Sequence, residues 1–394
     1  PEKATDMSRQ SYAGVAVAVP ITVPYQRYST QGAHWFVGQA LQALIQASGI
    51  EKDDIDGLCL SSFSLNPDTA VGLTQHLGLS PRWLDHIPTG GASGVMALRR
   101  AARAVQAGDA DVVACIGADT NHVDSFRQTL GSFSHFARDA SYPYGSGGPN
   151  SVFAFITANY MRTYGAQRED FGRIAVDQRS NALKNPNALF KKPLSLDEYM
   201  AGRPISDPIH LFDCVMPCAG ADAFLVMSEK RAQDLGLPHA IIRGAIERHN
   251  AFASDPIMVQ GGWRRDLADL YAQADATPAQ VDFVQTYDDY PVIVMMQFED
   301  LGFCAKGEGP QFVRDHSLTH DGSFPNNTSG GQLSVGQAGA AGGFIGMVEA
   351  LRQLCDMAGE RQVTNAQLGL VSGFGMVTYD RCLCTGAVLL GRSA

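Results

Sequence analysis

The amino-acid sequence predicts an α/β protein built from two similar halves. Hydrophobic residues make up 45% of the 394 positions and charged residues 18%, which is the composition of a globular chain. Short apolar runs typical of strands alternate with amphipathic runs typical of helices. The segment GGASGVMALRRAARAVQAG, followed by DVVACIGAD, is similar to the later segment GAAGGFIGMVEALRQLCDMAG, followed by LGLVSGFGM. Each combines a small-residue corner, a helix and a strand, which indicates an internal repeat.

The first half begins with a strand pattern and continues with helix and strand patterns in alternation. The run SYAGVAVAVPITVP predicts a strand that ends at its prolines, because proline removes a backbone donor. An amphipathic helix follows and ends at Gly49, since glycine suits the left-handed conformation after a helix. The further predicted elements are a strand in EKDDIDGLCLSSF, helices in LTQHLGL and VMALRRAARAVQAG, and a strand in DVVACIGAD.

Residues from about 120 to 215 interrupt this alternation with an aromatic, glycine-rich stretch and two helix patterns. Long insertions in compact enzymes usually cover a site, and we expect the same here. The second half then repeats the order, with strand QVDFVQTYDD, helix VIVMMQFEDLG, a glycine-rich corner, a long helix and strand LGLVSGFGM. The predicted organisation is a flexible N-terminus at 1–10, a first half at 11–265 that contains the insertion, and a second half at 266–394.

Two such halves, packed face to face, bring their strand ends and helix starts to a shared cleft. In many α/β enzymes the turn between strand and helix carries a nucleophile, but this corner begins with Gly91. Glycine cannot hold an acyl group, so the corner excludes a covalent acyl-enzyme at this position.

Charge and cysteine content narrow the range of partners and settings. A net charge of -10 argues against nucleic acid, which requires a basic surface. The eight cysteines lie mostly in apolar runs of a large chain, so we expect reduced core thiols rather than disulfides. Cys214 and Cys218 lack a second pair of ligands, and no metal site is predicted. The sequence shows neither a secretory signal nor a membrane-spanning apolar run, which favours a cytoplasmic setting.

The order and spacing of the motifs resemble the thiolase superfamily, in particular its branch similar to sterol carrier protein thiolases. The resemblance runs from about residue 10 to the end of the chain. Where thiolases carry Cys-Ala-Ser-Gly, this chain has Gly-Ala-Ser-Gly at 91–94. Where they carry Asn-Glu-Ala-Phe or His-Asp-Cys-Phe, it has Tyr-Asp-Asp-Tyr at 287–290. Gly-Gln-Ala at 336–338 stands in place of Gly-His-Pro, and VSGFGM replaces a cysteine-containing strand end.

The resemblance implies a layered αβαβα arrangement of the two halves with an inserted loop domain. In character the chain is similar to thiolase-like aldolases that shorten steroid or aryl side chains as CoA thioesters, which also lack the nucleophile. Tyr287 matches their tyrosine and is the predicted general acid or base. Of the two carboxylates that follow, one is expected to orient a neighbour and the other to be a solvated turn residue; Asp288 is predicted for the site. Gln337 stands where a tyrosine or histidine acid is expected, and an amide donates a hydrogen bond but transfers no proton.

Further residues complete the predicted site. A histidine could supply the missing acid, and the candidates are His122, His135 and His210, of which His210 is included in the predicted catalytic set. The residues predicted to contact the CoA thioester are Gly91, Ser93, Asn327, Gly336 and Gly375. Coenzyme A is expected as part of the substrate, with no permanently bound cofactor. The basic residues of the insertion that could contact it are Arg138, Arg173, Lys191 and Lys192.

The predicted function is retro-aldol cleavage of a 3-hydroxyacyl-CoA through a thioester enolate. This reaction needs no covalent acyl-enzyme, and the corner at Gly91 would then leave room for a bulky β-substituent. Two alternatives stay open, namely a Claisen-type acyltransferase working in a complex and a non-catalytic subunit that binds acyl-CoA or lipid. The polar cluster at 287–289 favours an enzyme, because a binding module has no need to gather ionisable groups at strand ends. The resemblance also implies a homodimer and a separate small partner with an OB fold and a zinc ribbon.

Overall fold

Eleven strands and twelve α-helices make up the described part of the chain, which in this computed structural model comprises residues 11–122, 142–145 and 148–393. The strands are β1 Val15–Gln26, β2 Gly57–Ser61, β3 Trp83–His86, β4 Val112–Asp119, β5 Pro204–Ser206, β6 Ile209–His210, β7 Ala219–Ser228, β8 His239–His249, β9 Phe283–Gln285, β10 Leu368–Thr378 and β11 Arg381–Arg392. The helices are α1 Ala33–Ser48, α2 Ala70–Leu77, α3 Ser93–Ala107, α4 Gly148–Tyr164, α5 Arg168–Leu183, α6 Leu196–Met200, α7 Glu229–Asp234, α8 Trp263–Ala274, α9 Pro291–Asp300, α10 Gly309–Asp315, α11 Gly331–Val335 and α12 Gly342–Leu354. The N-terminal segment predicted at 1–10 lies outside the described residues.

Nine of the described strands form one mixed sheet in the order β3-β2-β4-β7-β1-β8-β11-β10-β9. The run β2-β4-β7-β1 has one parallel pairing followed by two antiparallel pairings. The run β9-β10-β11-β8 has the same pairings in the same order. Helix α3 precedes β4 as α12 precedes β10, so the topology confirms the internal repeat predicted from the two corner segments.

The two halves of the sheet are joined by antiparallel pairing of β1 with β8, where residues 16–18 lie opposite residues 239–241. Strand β8 occupies in the second half the position that β1 occupies in the first. The second half therefore begins at about residue 239, whereas the boundary predicted between 265 and 266 falls inside α8. The half to which β8 belongs is decided by its pairing with β11, which is distant in sequence.

Helices α3 and α12 lie side by side between the two halves of the sheet and contact both of them. Their apolar side chains share one core with Val113 and Phe224 of the first half and Val371 and Val388 of the second. Helices α1 and α2 cover the outer face of the first half, while α8 and α9 cover that of the second. Helices α3 and α12 form the central layer, because a helix that is apolar nearly all round must be buried. The five layers together give the αβαβα arrangement that the resemblance implies.

Strand β1 continues past both of its prolines, beyond the end that the sequence predicts. Its pairing with β7 shifts register between Ala18 and Ile21 and again between Val23 and Gln26. Val19 has a positive φ of 59° at the first shift. These irregularities lie at Pro20 and Pro24 and interrupt the regular ladder where proline supplies no donor, so the strand can proceed.

The insertion between β4 and β7 contains α4, α5, α6 and the short hairpin β5–β6 in its described part. Helix α5 packs against α9, α10 and α11, all of which belong to the second half. The insertion therefore bridges the two halves beside the corners. Within the described ranges, no helix combines the length and apolar character needed to cross a membrane.

The two halves meet backbone to backbone where the central helices begin. A Cβ atom added at Gly94 would lie 2.0 Å from the carbonyl oxygen of Gly343. One added at Gly375 on β10 would lie 1.8 Å from the carbonyl oxygen of Thr89. Glycine is required at these positions by the lack of space for any side chain, and the close approach places the first corner directly on β10.

We expect Gly94→Ala to lower the free energy of unfolding by about 2–3 kcal/mol, because the added methyl group overlaps a backbone carbonyl that cannot swing aside. The matched control is Gly38→Ala within α1, where an added Cβ meets only Leu77 Cδ2 at 3.5 Å. The control should leave stability unchanged or raise it by up to about 1 kcal/mol through helix propensity. Urea denaturation of both variants tests this contact, and equal effects would contradict it.

Candidate active site

A cleft opens where the strand ends and corners of the two halves meet, with about 1100 Å³ of empty space. The first half contributes Phe63 and Ser64 from the loop after β2, Gly90 and Gly91 from the corner, and Asp119 from the end of β4. The insertion and the second half contribute the remaining described wall, which is mostly apolar. Its residues include Pro149, Val215, Pro217, Cys218, Tyr287, Asp289, Tyr290, Gln337, Phe374, Gly375, Met376 and Val377.

The ring of Tyr287 occupies the space into which a side chain at position 91 would project. A Cβ atom added at Gly91 would lie 1.9 Å from Tyr287 Cζ and 2.4 Å from the carbonyl oxygen of Phe374. The Tyr287 ring stacks nearly parallel on the Phe374 ring, with centroids 6.2 Å apart and an interplanar angle of 17°. The tyrosine therefore fills the corner, and the expectation that Gly91 leaves room there for a bulky β-substituent is wrong.

A small polar network holds the Tyr287 hydroxyl. The hydroxyl is hydrogen-bonded to the carboxylate of Asp289 and accepts from Gln337 Nε2 at 3.2 Å. The same nitrogen lies 2.6 Å from Asp289 Oδ1 and 3.0 Å from Gln332 Oε1. Because three acceptors surround this atom, the amide nitrogen of Gln337 faces the network and its oxygen faces away.

Burial raises the pKa of Tyr287 well above its usual value, and the neighbouring Asp289 raises it further. Burial also raises the pKa of the Asp289 carboxyl to about 7, although hydrogen bonds from Tyr287 and Gln337 act to lower it. The phenol therefore keeps its proton at neutral pH, while the carboxyl group is divided between its two forms. Asp289 is consequently the member of the pair that can accept a proton at neutral pH.

Asp288, the carboxylate predicted for the site, does not line the cleft. Its oxygens accept the backbone N–H groups of Gln332 at 3.0 Å and Leu333 at 3.1 Å, at the start of α11. The side chain is buried, which raises the pKa of its carboxyl to about 8. Asp288 therefore caps a helix, and the carboxylate beside the tyrosine is Asp289.

The two carboxylates lie in a part of the chain that no strand pairing holds. Strand β9 ends at Gln285, and the backbone bends at Asp289 and Tyr290. The sequence therefore offered two adjacent carboxylates, and the tertiary contacts of each one decided between them.

Of the five residues predicted to contact a thioester, the structure places Gly91 and Gly375 on the cleft. Ser93 is buried behind the corner, where its hydroxyl donates to the carbonyl oxygen of Ile87 at 3.3 Å. The remaining two also belong to the wall behind the cleft. The amide of buried Asn327 donates to Thr286 Oγ1 at 3.2 Å, and Gly336 packs against Leu189 and Cys218.

The predicted histidines do not supply an acid from the described wall of the cleft. His210 lies on β6, where its Nδ1 is hydrogen-bonded to the carbonyl oxygen of Gly202 at 2.6 Å. Its backbone N–H donates to Asp213 Oδ2 at 2.8 Å, so the predicted catalytic position is instead part of the insertion's own folding. His122 is exposed and follows Asn121, which lines the cleft. His135 lies outside the described residues.

Three of the basic residues predicted for coenzyme A lie away from the described wall. Arg173, Lys191 and Lys192 are exposed, and Lys191 Nζ donates to the carbonyl oxygens of Asn185 at 3.1 Å and Pro186 at 2.9 Å. The structure therefore does not bring these three residues together with Tyr287. The fourth, Arg138, lies outside the described residues.

Two cleft residues with ionisable groups were missed by the sequence analysis. Asp119 accepts backbone N–H groups from Ser64 at 2.7 Å and Ala340 at 2.6 Å, which ties one loop from each half to the cleft floor. Its position at the end of a predicted strand was the available signal. Cys218 is buried, and burial raises the pKa of its thiol, so the sulfur stays protonated at neutral pH.

Tyr290 lines the cleft and also packs against the insertion. Its ring stacks on Phe153 with centroids 4.0 Å apart, and its hydroxyl donates to Asn150 Oδ1. Both partners lie on α4. Tyr290 therefore joins the insertion to the segment that carries Tyr287.

Duplicated α/β halves, a cleft between two glycine-rich corners and a tyrosine in the nucleophile's place define a thiolase-like protein without the thiolase nucleophile. The family description "Thiolase, N-terminal domain" matches residues 15–198, and "Thiolase C-terminal domain-like" matches residues 244–385. The chain belongs to the thiolase superfamily.

Two curated relatives and one solved structure are similar over most of the chain. A steroid side-chain-cleaving aldolase from Thermomonospora curvata is 34% identical over 80% of this chain and 83% of its own length. A 17-hydroxy-3-oxo-4-pregnene-20-carboxyl-CoA lyase from Mycobacterium tuberculosis is 32% identical over 80% of this chain and 84% of its own length. A structure described as an Ltp2–ChsH2 (DUF35) aldolase superposes with a TM-score of 0.83 at 29% identity, covering 96% of this chain and 98% of that chain.

We expect Gly91→Ala to lower the free energy of unfolding by about 1–3 kcal/mol, because the methyl group overlaps the Tyr287 ring. In a Tyr287→Ala background the same substitution should cost less, since the ring is gone and only the overlap with the Phe374 carbonyl remains. A double-mutant cycle measured by urea denaturation should give a coupling energy of at least about 0.5 kcal/mol. Strictly additive costs would contradict the occupation of the corner by the ring.

Proposed function

We propose that the protein catalyses retro-aldol cleavage of a 3-hydroxyacyl-CoA through a thioester enolate, without a covalent acyl-enzyme. The observation that carries this proposal is the position of Tyr287. Its ring fills the corner that a nucleophile would need, and its hydroxyl is joined to a carboxylate in the cleft. The aldolase and the lyase that match 80% of the chain support the same class of reaction.

Proton removal uses Tyr287 and Asp289 as one unit. The substrate hydroxyl gives its proton to the Tyr287 oxygen while Tyr287 passes its own proton to the Asp289 carboxylate. The O–H electron pair forms the new carbonyl, the bond between Cα and Cβ breaks, and its electrons form the thioester enolate. The proton that Asp289 now holds returns through Tyr287 to Cα, which completes the acyl-CoA product and restores the resting site. Because the phenol stays protonated in the resting site, Tyr287 acts as a relay and Asp289 as the base.

The negative charge on the enolate oxygen needs positive partial charges nearby. Helix α3 spans 15 residues and begins at Ser93, two positions after Gly91. Helix α12 begins at Gly342, and a Cβ added at the next residue, Gly343, would lie 2.8 Å from the carbonyl oxygen of Gly91. Both helices thus direct their N-termini toward the corner region, and helix N-termini favour developing anions.

The acyltransferase alternative requires a thiolate in the cleft. Cys218 lines the cleft, but burial raises the pKa of its thiol and Asp222 raises it further, which disfavours the nucleophilic form. The alternative of a purely binding subunit does not explain why an ionisable pair, Tyr287 and Asp289, lies in the cleft. These two observations favour cleavage over both alternatives.

The working form of the enzyme is part of the same proposal. Coenzyme A enters as part of the substrate, and the enzyme works as a cytoplasmic homodimer together with a separate small protein that has an OB fold and a zinc ribbon. The name of the similar Ltp2–ChsH2 (DUF35) structure joins two components, which supports a protein partner. The eight cysteines are free, which fits a reducing compartment.

Short acyl-CoAs incubated with the protein in heavy water should gain deuterium at Cα, because the enolate forms reversibly. Tyr287→Phe should slow this exchange by about 100-fold or more, since it removes the proton relay. Mass spectrometry of the thioester and of the intact protein in the same samples measures exchange and adduct together. An acyl adduct on the protein would contradict the non-covalent reaction, and the absence of both signals would favour a binding subunit.

The rate of cleavage should depend on ionised Asp289. Because the pKa of this carboxyl is raised to about 7, kcat/KM should fall about tenfold per pH unit below that value and level off above it. Asp289→Asn should lower the rate by about 100-fold or more and remove this limb of the profile. The matched control is Asp288→Asn, which should lose stability but retain the limb. Loss of the limb in the control alone would identify Asp288 as the base.

A further inference from the structure

The amide of Gln337 presents two different faces to its surroundings. Its nitrogen lies within hydrogen-bonding distance of Asp289, Gln332 and Tyr287, at 2.6, 3.0 and 3.2 Å. An amide nitrogen carries two hydrogens, so these acceptors use its full donor capacity. The position of the residue is set by its backbone, whose N–H donates to the Met216 carbonyl at 2.8 Å and whose carbonyl accepts from Cys218 at 2.9 Å.

The oxygen of the same amide is left for a ligand. Among the described residues Gln337 Oε1 has no hydrogen-bond partner, and the atom is not sealed from solvent. Gln337 lines the cleft beside Tyr287, so this oxygen is available to a bound molecule. The Tyr287 oxygen already donates to Asp289 and accepts from Gln337, and its remaining capacity is one lone pair.

We infer that Gln337 is a specificity-determining residue that makes this part of the cleft select a ligand hydroxyl over a ligand carbonyl. The polar face formed by Gln337 Oε1 and Tyr287 Oη offers acceptors, and a hydroxyl supplies the donor that such a face requires. The oxygen of a β-keto group is also an acceptor, so it would lie next to these acceptors without forming a hydrogen bond. The inference rests on the proposed function, because it takes a 3-hydroxyacyl thioester as the ligand.

The consequence is a preference between two thioesters of one carbon skeleton. A site built to pair with a hydroxyl discriminates strongly against an analogue that lacks the donor, because buried polar groups then lose their partners. The protein should therefore bind a 3-hydroxyacyl-CoA more tightly than the corresponding 3-oxoacyl-CoA. Gln337 thus selects the ligand by accepting a hydrogen bond, and this role needs no proton transfer.

The test compares 3-hydroxy-3-phenylpropanoyl-CoA with 3-oxo-3-phenylpropanoyl-CoA by titration calorimetry in an Asp289→Asn background, which blocks turnover. We expect the hydroxy compound to bind about tenfold more tightly or better. Adding Gln337→Met should bring the ratio of dissociation constants to near one. The matched control is Gln178→Met, the same substitution at a buried glutamine of α5 that lies outside the cleft and the polar network, and it should preserve the ratio.

Thermal melting of each variant establishes that it is folded before binding is compared. The inference would be overturned if the two dissociation constants are nearly equal in the Asp289→Asn variant. It would also be overturned if adding Gln337→Met leaves their ratio unchanged. If the wild-type protein still exchanges deuterium into Cα of acyl-CoAs, such a result would contradict the inference alone and not the proposed function. Failure of both thioesters to bind the folded protein would overturn the inference and the proposed function together.

Discussion

The site depends on a steric exclusion between one ring and one missing side chain. The ring of Tyr287 and a side chain at position 91 cannot both exist, because a Cβ there would lie 1.9 Å from the ring. The presence of the tyrosine therefore requires glycine, and glycine removes the covalent route of a thiolase. The same ring, stacked on Phe374, carries its hydroxyl to the place where Asp289 and Gln337 meet. The glycine at position 91 thus excludes a covalent acyl-enzyme there and at the same time makes room for the tyrosine ring.

The exclusion is effective because the surrounding backbone cannot relax. Around the corner the two halves touch through main-chain atoms, with Gly94 against Gly343 and Gly375 against Thr89. Contacts of this kind offer no flexible side chain that could move aside. The insertion adds a third support, since Asn150 of α4 accepts from the Tyr290 hydroxyl three residues after Tyr287. The segment that carries Tyr287 and Asp289 is therefore held from both halves and from the insertion.

Two adjacent carboxylates illustrate how environment assigns roles to identical groups. Asp288 accepts two backbone N–H groups of α11 and does not line the cleft, so its oxygens serve the helix start. Asp289 is half-buried, lines the cleft and is hydrogen-bonded to the Tyr287 hydroxyl. Burial raises the pKa of both carboxyls, to about 8 and about 7, but only the second lies where a substrate proton can reach it.

The sequence by itself determined the fold class, the internal repeat and the glycine that stands in place of a nucleophile, because apolar periodicity, repeated corners and motif order are read along the chain. It predicted Tyr287 for the site only through the family resemblance, and it named Asp288 rather than Asp289. Only the tertiary structure decided that the tyrosine ring fills the corner, that β8 belongs to the second half, and that His210 is used within its own hairpin. These outcomes depend on distances between residues far apart in the chain, and such distances follow from packing that no local pattern records.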